Sequence, residues 1–315
     1  MKQHRDKFVA LFLAVSALVA VAAFNASADT GRAQTSASNH AQASSGARPT
    51  VATRERRTAE APAASKSAVF ETAAAQNVTF KNQLNWVFGG KRQLGWYLYA
   101  PLINQLIDTD KDAASPEFAA ALARWQTSQG APASGVLDSE TLYRMISVWQ
   151  GARLKNKVYA QPDQLLVVPV SDFYDPARPD ELRQVERATY AAYKRMVAAA
   201  IADPSLKLRA DQSSGTLAPE EKFLKIISSF RSREYQEKLR KADPKAGSAG
   251  LAVNSPHFTG RALDIYVGGD PVETKDANRA LQVSTPVYKW LVKNAARFGF
   301  RPYYYEPWHW EYVGQ

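Results

Sequence analysis

The chain has 315 residues, which is enough for two domains of ordinary size, and 45% of them are hydrophobic, which is enough for at least one sizeable core. Its formal net charge of +10 suits anionic partners such as nucleic acid, acidic envelope polymers or membrane surfaces, and charge alone does not choose among them. The absence of cysteine excludes disulfides, thiolate metal sites, cysteine nucleophiles and a lipidated N-terminal cysteine.

The N-terminus has the features of a secretory signal peptide. A basic start precedes a nearly unbroken apolar run over residues 8–24, and residues 26–28 (Ala-Ser-Ala) form a small-residue cleavage site. We therefore expect residues 1–28 to be removed, which predicts a periplasmic or secreted protein with no stable membrane span after cleavage. The alternative is an uncleaved anchor, because the apolar run is close to the lower length limit for crossing a bilayer.

Residues 29–76 are rich in Ala, Ser and Thr and contain little bulky apolar material. Such a composition cannot bury enough surface to offset the entropy lost on ordering. This segment is predicted to be a disordered tether, and aromatic residues become frequent only after it.

Residues 77–152 have the pattern of a small helical module. Phe118, Leu122 and Trp125 recur at spacings of four and three, which places them on one helix face. Ser115 is the expected N-cap of this helix, and Asp138 is the expected N-cap of the next one.

The second half of this module resembles a peptidoglycan-binding domain. The resemblance rests on about 35 residues, which include Trp125, Gln126, Gly130, residues 134–138 and residues 141–142. It implies a three-helix module that binds cell-wall polymer, and the alternative is a helical spacer.

Residues 153–315 mix helical and strand patterns. Helices are predicted over residues 181–201 and from the Ser-Thr-Pro start at residue 284 to Gly299, and strands within residues 223–230 and 303–313. Helices mixed with short, non-adjacent strands indicate an α+β fold and not a doubly wound parallel sheet.

The histidines of the chain are concentrated in one pattern. Of four, His4 lies in the predicted signal peptide and His40 in the predicted tether, which leaves His257 and His309 in the folded part. Two imidazoles and a carboxylate are a common ligand set for zinc in a hydrolase, in which a fourth position stays open for water. His257, Asp264 and His309 would supply that set.

A metal-assisted hydrolysis also needs a base beside the open position. Glu306 lies three residues before His309 and could serve, and Glu311 lies two residues beyond it. Taken singly, such histidines are more often hydrogen-bonded core residues, and such glutamates are more often solvated strand ends. The combination favours a metal site, because both histidines of the predicted folded region belong to it.

Three blocks of this region resemble the D-Ala-D-Ala carboxypeptidases and dipeptidases of the vancomycin-resistance type, in the lysostaphin / D-Ala-D-Ala metallopeptidase / hedgehog fold group. The blocks are Ser-x-His-(x)6-Asp over residues 255–264, Glu-x-Trp-His over residues 306–309, and residues 228–232 with the downstream Gln236. The resemblance covers roughly residues 160–315. It implies a small antiparallel sheet with flanking helices as the catalytic domain, residues 153–315.

The resemblance also implies roles for single residues. The implied Zn²⁺ ligands are His257, Asp264 and His309; the implied base is Glu306; the implied oxyanion-stabilising residue is Arg231; the implied substrate contacts are Ser255 and Gln236. Two departures alter the expected edge of the pocket: Ser229 stands where the family usually has Gly, and Phe230 where it usually has Tyr. Arg233 is close enough in sequence to compete with Arg231 for its role.

The resulting prediction is a zinc D,D-carboxypeptidase that acts on peptidoglycan stem peptides. Alternatives are an endopeptidase or an L,D-carboxypeptidase of the same fold, and a non-catalytic wall-binding protein whose metal only stabilises the fold. An active-serine peptidase is disfavoured because the chain has no Ser-x-x-Lys motif, and nucleic-acid binding is disfavoured by export. All candidate catalytic residues lie after residue 230, so residues 77–152 are expected to aid wall binding without being needed for the chemistry.

Overall fold

The computed structural model describes residues 61–211, 213–242 and 254–314. The predicted signal peptide and residues 29–60 of the predicted tether lie outside the described residues. Residues 61–76 do not match the tether prediction, because they belong to helix α1 (Ala61–Gln83). Alanine is the best helix former and its small side chain lets helices approach closely, so an Ala-rich composition indicates a helix as readily as a tether. Ala73 and Ala74 are buried accordingly.

The N-terminal module consists mainly of α1, α3 (Pro116–Ser128) and α4 (Ser139–Ala152). A hairpin of β1 (Asn85–Phe88) and β2 (Lys91–Leu94) and a short helix α2 (Ala100–Leu106) lie between α1 and α3.

Both predicted caps of the module are confirmed. Ser115 Oγ accepts a hydrogen bond from Phe118 N at 3.1 Å, and Asp138 Oδ1 accepts one from Thr141 N at 2.8 Å. The conspicuous Gln126 is buried, and it donates to Val136 O at 3.0 Å and to Thr141 Oγ1 at 3.1 Å. In the described structure, Gln126 therefore ties the loop between the two helices to α3.

The C-terminal region begins with a strand pair, β3 (Leu165–Val167) and β4 (Gln184–Glu186), followed by helix α5 (Arg187–Ile201). The predicted start of this helix at residue 181 is wrong. Residues 180–182 form a 3₁₀ turn, and the Glu186 carboxylate caps α5 by accepting from Thr189 N at 2.7 Å. The spacing of apolar residues could not show where β4 ends and α5 begins, because the buried Val185 fits both the helical and the strand periodicity.

A four-stranded antiparallel sheet forms the centre of this region, in the order β7 (Ile226–Ser228), β8 (Ala262–Ile265), β10 (Glu306–Tyr312) and β9 (Phe300–Tyr303). A separate short hairpin, β5 (Ala210–Asp211) and β6 (Thr216–Leu217), precedes it. Every residue of β10 is buried. The two predicted strand regions are confirmed, and the α+β class with them.

Three further helices flank the sheet: α6 (Arg233–Ala242), α7 (Asp276–Ser284) and α8 (Pro286–Asn294). The predicted cap of α8 is confirmed, since Thr285 Oγ1 accepts from Tyr288 N at 3.2 Å. Helix α6 was not predicted from the sequence, and six of its ten residues are charged. No helix within the described ranges is long and apolar enough to cross a bilayer.

One hydrophobic core runs from the module into the C-terminal region. Tyr304, in the turn between β9 and β10, packs against residues of the module. The Tyr304 ring is stacked on Trp149 of α4 at a centroid distance of 5.9 Å, and it lies 5.6 Å from Tyr99 and 5.2 Å from Phe88. The expected boundary at residue 152 therefore follows the end of α4 but does not separate two cores.

Candidate metal centre

The pairing of strands brings two of the three predicted ligands together. His309 in β10 is the direct antiparallel partner of Asp264 in β8, and Ser228 of β7 pairs with Asp264 from the other side. Facing residues on neighbouring strands lie close enough for their side chains to interact. The central sheet therefore places Asp264 between a histidine and the strand that leads to Arg231.

His257 reaches the same place from a 3₁₀ turn, residues 256–259, that precedes β8. Ser255 Oγ caps this turn by accepting from His257 N at 3.3 Å. Gly260 ends it with φ +66°, and a Cβ there would lie 2.8 Å from Leu165 Cδ2 and 3.0 Å from Glu186 N. Glycine is thus required for the chain to turn from His257 into β8.

His257, Asp264 and His309 form the predicted cluster. Each can offer one ligand atom such that all three atoms lie within 4.8 Å of one another, and all three residues are buried. His257 Nε2 lies 3.4 Å from Asp264 Oδ2, and His309 Nδ1 lies 2.9 Å from Asp264 Oδ1.

The outer nitrogen of each imidazole is held by another group. His257 Nδ1 lies 2.7 Å from the carbonyl oxygen of Ser229, so it donates there and presents an unprotonated Nε2 to the cluster. That Nε2 is buried without a hydrogen-bond partner in the described part of the chain. His309 Nε2 lies 3.2 Å from Glu311 Oε1. Such partners fix the tautomer and orientation of metal-binding histidines.

This arrangement fits a bound divalent cation. When His309 donates from Nε2 to Glu311, its Nδ1 lone pair faces Asp264 Oδ1, and the Nε2 lone pair of His257 also faces the Asp264 carboxylate. Acceptors facing one another need a proton or a cation between them. Two imidazole nitrogens and a carboxylate oxygen are the donor set that zinc takes in hydrolases.

Without a metal ion, His309 itself carries positive charge in the cluster. Burial opposes a charged His309, but its hydrogen bonds to Asp264 and Glu311 outweigh burial and raise its pKa to about 9. Burial and the Arg231 charge lower the pKa of His257 to about 4. Burial also opposes ionisation of Asp264, yet its contacts with the two histidines hold its pKa well below the usual range.

Glu306, the predicted base, is buried at the start of β10. Its Oε1 has no hydrogen-bond partner among the residues that the structure describes. Burial raises the pKa of Glu306 to about 8, with the charge of His309 acting against this increase and that of Asp264 adding to it. A carboxyl group with a pKa near neutrality and an unused oxygen can accept and return a proton.

Glu311, the alternative base, has both oxygens in use. Oε1 contacts Arg153 and His309 Nε2, and Oε2 accepts from Leu154 N at 3.0 Å. Burial would raise its pKa, but the contacts with His309 and Arg153 outweigh burial and lower it to about 2. Glu311 lies on the same side of the strand as His309, as expected, but no sequence pattern indicated its contact with Arg153.

Arg231 is buried beside the cluster. Its Nη2 lies 3.1 Å from Asp264 Oδ2, and its Nε and Nη2 both donate to Ser228 Oγ at 3.2 Å. It is therefore not in a surface salt bridge, which was the ordinary alternative. Arg233, the other candidate, has its guanidinium 5.2 Å from the centre of the Tyr159 ring.

The two predicted substrate contacts, Ser255 and Gln236, are both buried. The Ser255 hydroxyl caps the His257 turn, a role that the sequence did not reveal. Gln236 lies on α6, and both of its amide atoms lack hydrogen-bond partners among the described residues. An amide buried in this way has unused capacity to bind a ligand.

The comparisons with known proteins agree with this geometry. A family model described as VanY, D-alanyl-D-alanine carboxypeptidase, matches residues 183–315. The match covers the central sheet and all the residues discussed as ligands, base and substrate contacts, and it leaves out the N-terminal module. A search of curated proteins found no significant match. Residues 183–315 are thus similar to the VanY family of D-alanyl-D-alanine carboxypeptidases.

Proposed function

We propose that the protein is an exported, zinc-dependent D-alanyl-D-alanine carboxypeptidase that hydrolyses peptidoglycan stem peptides in the periplasm or outside the cell. The observation that carries this proposal is the buried His257–Asp264–His309 cluster together with Glu306 on the same strand as His309, whose Oε1 has no hydrogen-bond partner among the described residues. A purely structural zinc site usually has four protein ligands and needs no base. The alternative of a non-catalytic wall-binding protein is therefore less well supported.

His257 Nε2, Asp264 and His309 Nδ1 would hold the metal. When bound, Zn²⁺ would supply Lewis-acid polarisation of the scissile carbonyl and a lower pKa for the attacking water. Glu306 would accept the proton of that water and then deliver it to the leaving amine. Its place three residues before His309 on the same strand, and an Oε1 without a partner among the described residues, support this role.

Arg231 would stabilise the negative charge that develops on the carbonyl oxygen, because its guanidinium is already held in place by Ser228 and Asp264. Gln236 and Ser255 would contact the peptide. The unused amide of Gln236 is the better supported of the two, because the Ser255 hydroxyl already accepts a hydrogen bond from the His257 backbone.

Digestion of purified muropeptides with the protein tests this proposal. Loss of a single terminal alanine, seen by mass spectrometry, is the expected result with pentapeptide substrates. Cleavage within a cross-link would instead identify an endopeptidase, and loss of D-alanine from tetrapeptides an L,D-carboxypeptidase. No product from any muropeptide, with metal supplied, would support the non-catalytic alternative.

We also propose that the N-terminal module binds wall polymer, in keeping with its resemblance to peptidoglycan-binding domains. Co-sedimentation of an inactive Glu306→Gln protein with purified sacculi is the test. Failure to sediment would favour the helical-spacer interpretation of residues 77–152.

A further inference from the structure

The last helix of the module ends beside the metal centre. Helix α4 ends at Ala152, and Arg153 is its C-cap. The Arg153 guanidinium contacts Glu311, and Glu311 contacts the Nε2 atom of His309. Contacts thus connect the end of the module to a predicted metal ligand. The first of them joins Arg153 and Glu311, which lie 158 positions apart in sequence.

We propose that Arg153 and Glu311 are positioning residues for His309, so that the N-terminal module forms part of the support of the metal centre. The proposal rests on the proposed function, because it assumes that His309 binds the metal. It adds that the ligand's orientation is set by a residue outside the matched family region.

Contacts on both of its oxygens hold the Glu311 carboxylate in one orientation. Oε2 accepts from Leu154 N at 3.0 Å, while Oε1 contacts Arg153 and lies 3.2 Å from His309 Nε2. The Glu311 side chain is fully buried, and that of Arg153 is 16% exposed. A buried carboxylate requires a charge partner. Arg153 provides it, and the remaining capacity of Oε1 is directed at His309.

Arg153 is itself held between the module and the sheet. Its Nη1 donates to Gln150 Oε1 at 2.7 Å, within the last turn of α4. Its guanidinium lies over the Tyr303 ring, 4.0 Å from the ring centre, and the Tyr303 ring meets the His309 ring edge-on with centroids 5.9 Å apart. Arg153 therefore supports His309 along two routes, through the Glu311 carboxylate and through Tyr303.

The end of α4 is positioned by packing. Trp149, one turn before Arg153, stacks on Tyr304 in the turn between β9 and β10. A shift of α4 would therefore move Arg153 relative to both Glu311 and Tyr303. Groups that orient a metal-binding histidine are typically worth about 10- to 100-fold in metal affinity.

The experiment compares metal binding in variants of the full chain. Zn²⁺ dissociation constants would be measured by competition with a chromophoric chelator, and the visible spectrum of the Co²⁺ form would report the ligand geometry. The variants are Arg153→Met, Arg153→Lys, Glu311→Gln and the double variant Arg153→Met/Glu311→Gln. Arg144→Met is the matched control, because Arg144 lies on α4 but makes an exposed ion pair with Glu140.

We expect Arg153→Met and Glu311→Gln each to weaken Zn²⁺ binding by about 10- to 100-fold and to change the cobalt spectrum. Arg153→Lys should retain more affinity than Arg153→Met, because it keeps a cation. The double variant should lose less affinity than the two single losses combined, since the Glu311 route is common to both residues and only the Tyr303 route is separate. Arg144→Met should bind as the parent does.

Parent-like affinity and spectrum in Arg153→Met and Glu311→Gln would overturn the inference. So would a loss confined to the thermal stability of the metal-free protein, which is what a merely structural role predicts. If Arg153→Met does not fold, Glu311→Gln and Arg153→Lys give the same decision. A parent protein that binds no metal would instead overturn the proposed function, and the two failures are thereby distinguished.

Discussion

His309 and Asp264 are direct partners across the antiparallel pair of β10 and β8, and their Nδ1 and Oδ1 atoms lie 2.9 Å apart. Side chains alternate between the two faces of a strand, so a slip of one residue in this register would move His309 to the opposite face. The hydrogen bonds of the sheet, and not a flexible loop, therefore set the distance between two of the three candidate ligands. Only His257 is carried by a turn.

The first prediction concerns metal content. His257→Ala and Asp264→Ala should each lose most of the bound zinc, because either change leaves only two protein ligands from the cluster. Metal analysis of the purified, dialysed proteins measures this directly. The control is Asp163→Ala, which should keep about one zinc per chain. Asp163 is exposed in the 3₁₀ turn over residues 162–164, well before the candidate ligands in sequence. Parent-like zinc in both cluster variants would exclude the assignment.

The second prediction concerns the pH dependence of metal binding. Without metal, the pKa of His309 is raised to about 9, so below that pH a metal must displace its proton. The affinity for zinc should therefore fall as the pH falls below about 9, by about tenfold per pH unit when one proton is displaced. The effect should steepen below about pH 4, where His257 also takes up a proton. Chelator competition across this range measures the slope, and constant affinity between about pH 7 and 9 would contradict it.

The third prediction concerns the module, and the structure changes the expectation from sequence. A fragment beginning at residue 153 should not form a stable, active enzyme. It would leave Tyr304 without its contacts to Trp149, Tyr99 and Phe88, and Arg153 without the end of α4. Trp149→Ala in the full chain should lower the free energy of unfolding by about 3–5 kcal/mol, as for other large core deletions.

Denaturant unfolding of the Trp149→Ala protein and near-ultraviolet circular dichroism of the fragment measure the third prediction. Val148→Ala is a suitable control, because Val148 also lies on α4 but is 37% exposed. A fragment that folds and cleaves soluble muropeptides as fast as the full chain would contradict this prediction. It would support the expectation from sequence that residues 77–152 are not needed for the chemistry.

Features that depend only on residues close in sequence could be predicted from the sequence. The caps at Ser115, Asp138 and Thr285 could be predicted because each satisfies a backbone N–H three residues away. The composition of residues 61–76 led to the wrong prediction of a disordered tether, because alanine is frequent both in packed helices and in disordered segments. The contact between Arg153 and Glu311 joins residues 158 positions apart, and no local pattern marks it.

The proximity of His257, Asp264 and His309 was predictable because their motifs are short and chemically distinctive. Their supporting contacts were not, since they use ordinary groups such as the Ser229 carbonyl and the end of α4. Only the fold brings these groups to the two histidines.

The last prediction separates the two glutamates of β10. Glu306→Gln should keep its zinc and fold, because Gln is nearly isosteric, carries no charge into a buried site, and replaces a residue outside the ligand cluster. It cannot accept a proton at neutral pH, so kcat should fall by about 10² to 10⁴ with little change in KM. Glu311→Gln should show the opposite pattern, with weaker zinc binding and recovery of much of the rate when zinc is supplied in excess, because its carboxylate supports His309. Steady-state kinetics at several zinc concentrations distinguishes the two. A Glu306→Gln enzyme of near-normal kcat, beside a Glu311→Gln enzyme that stays inactive in saturating zinc, would falsify the assignment of Glu306 as the base.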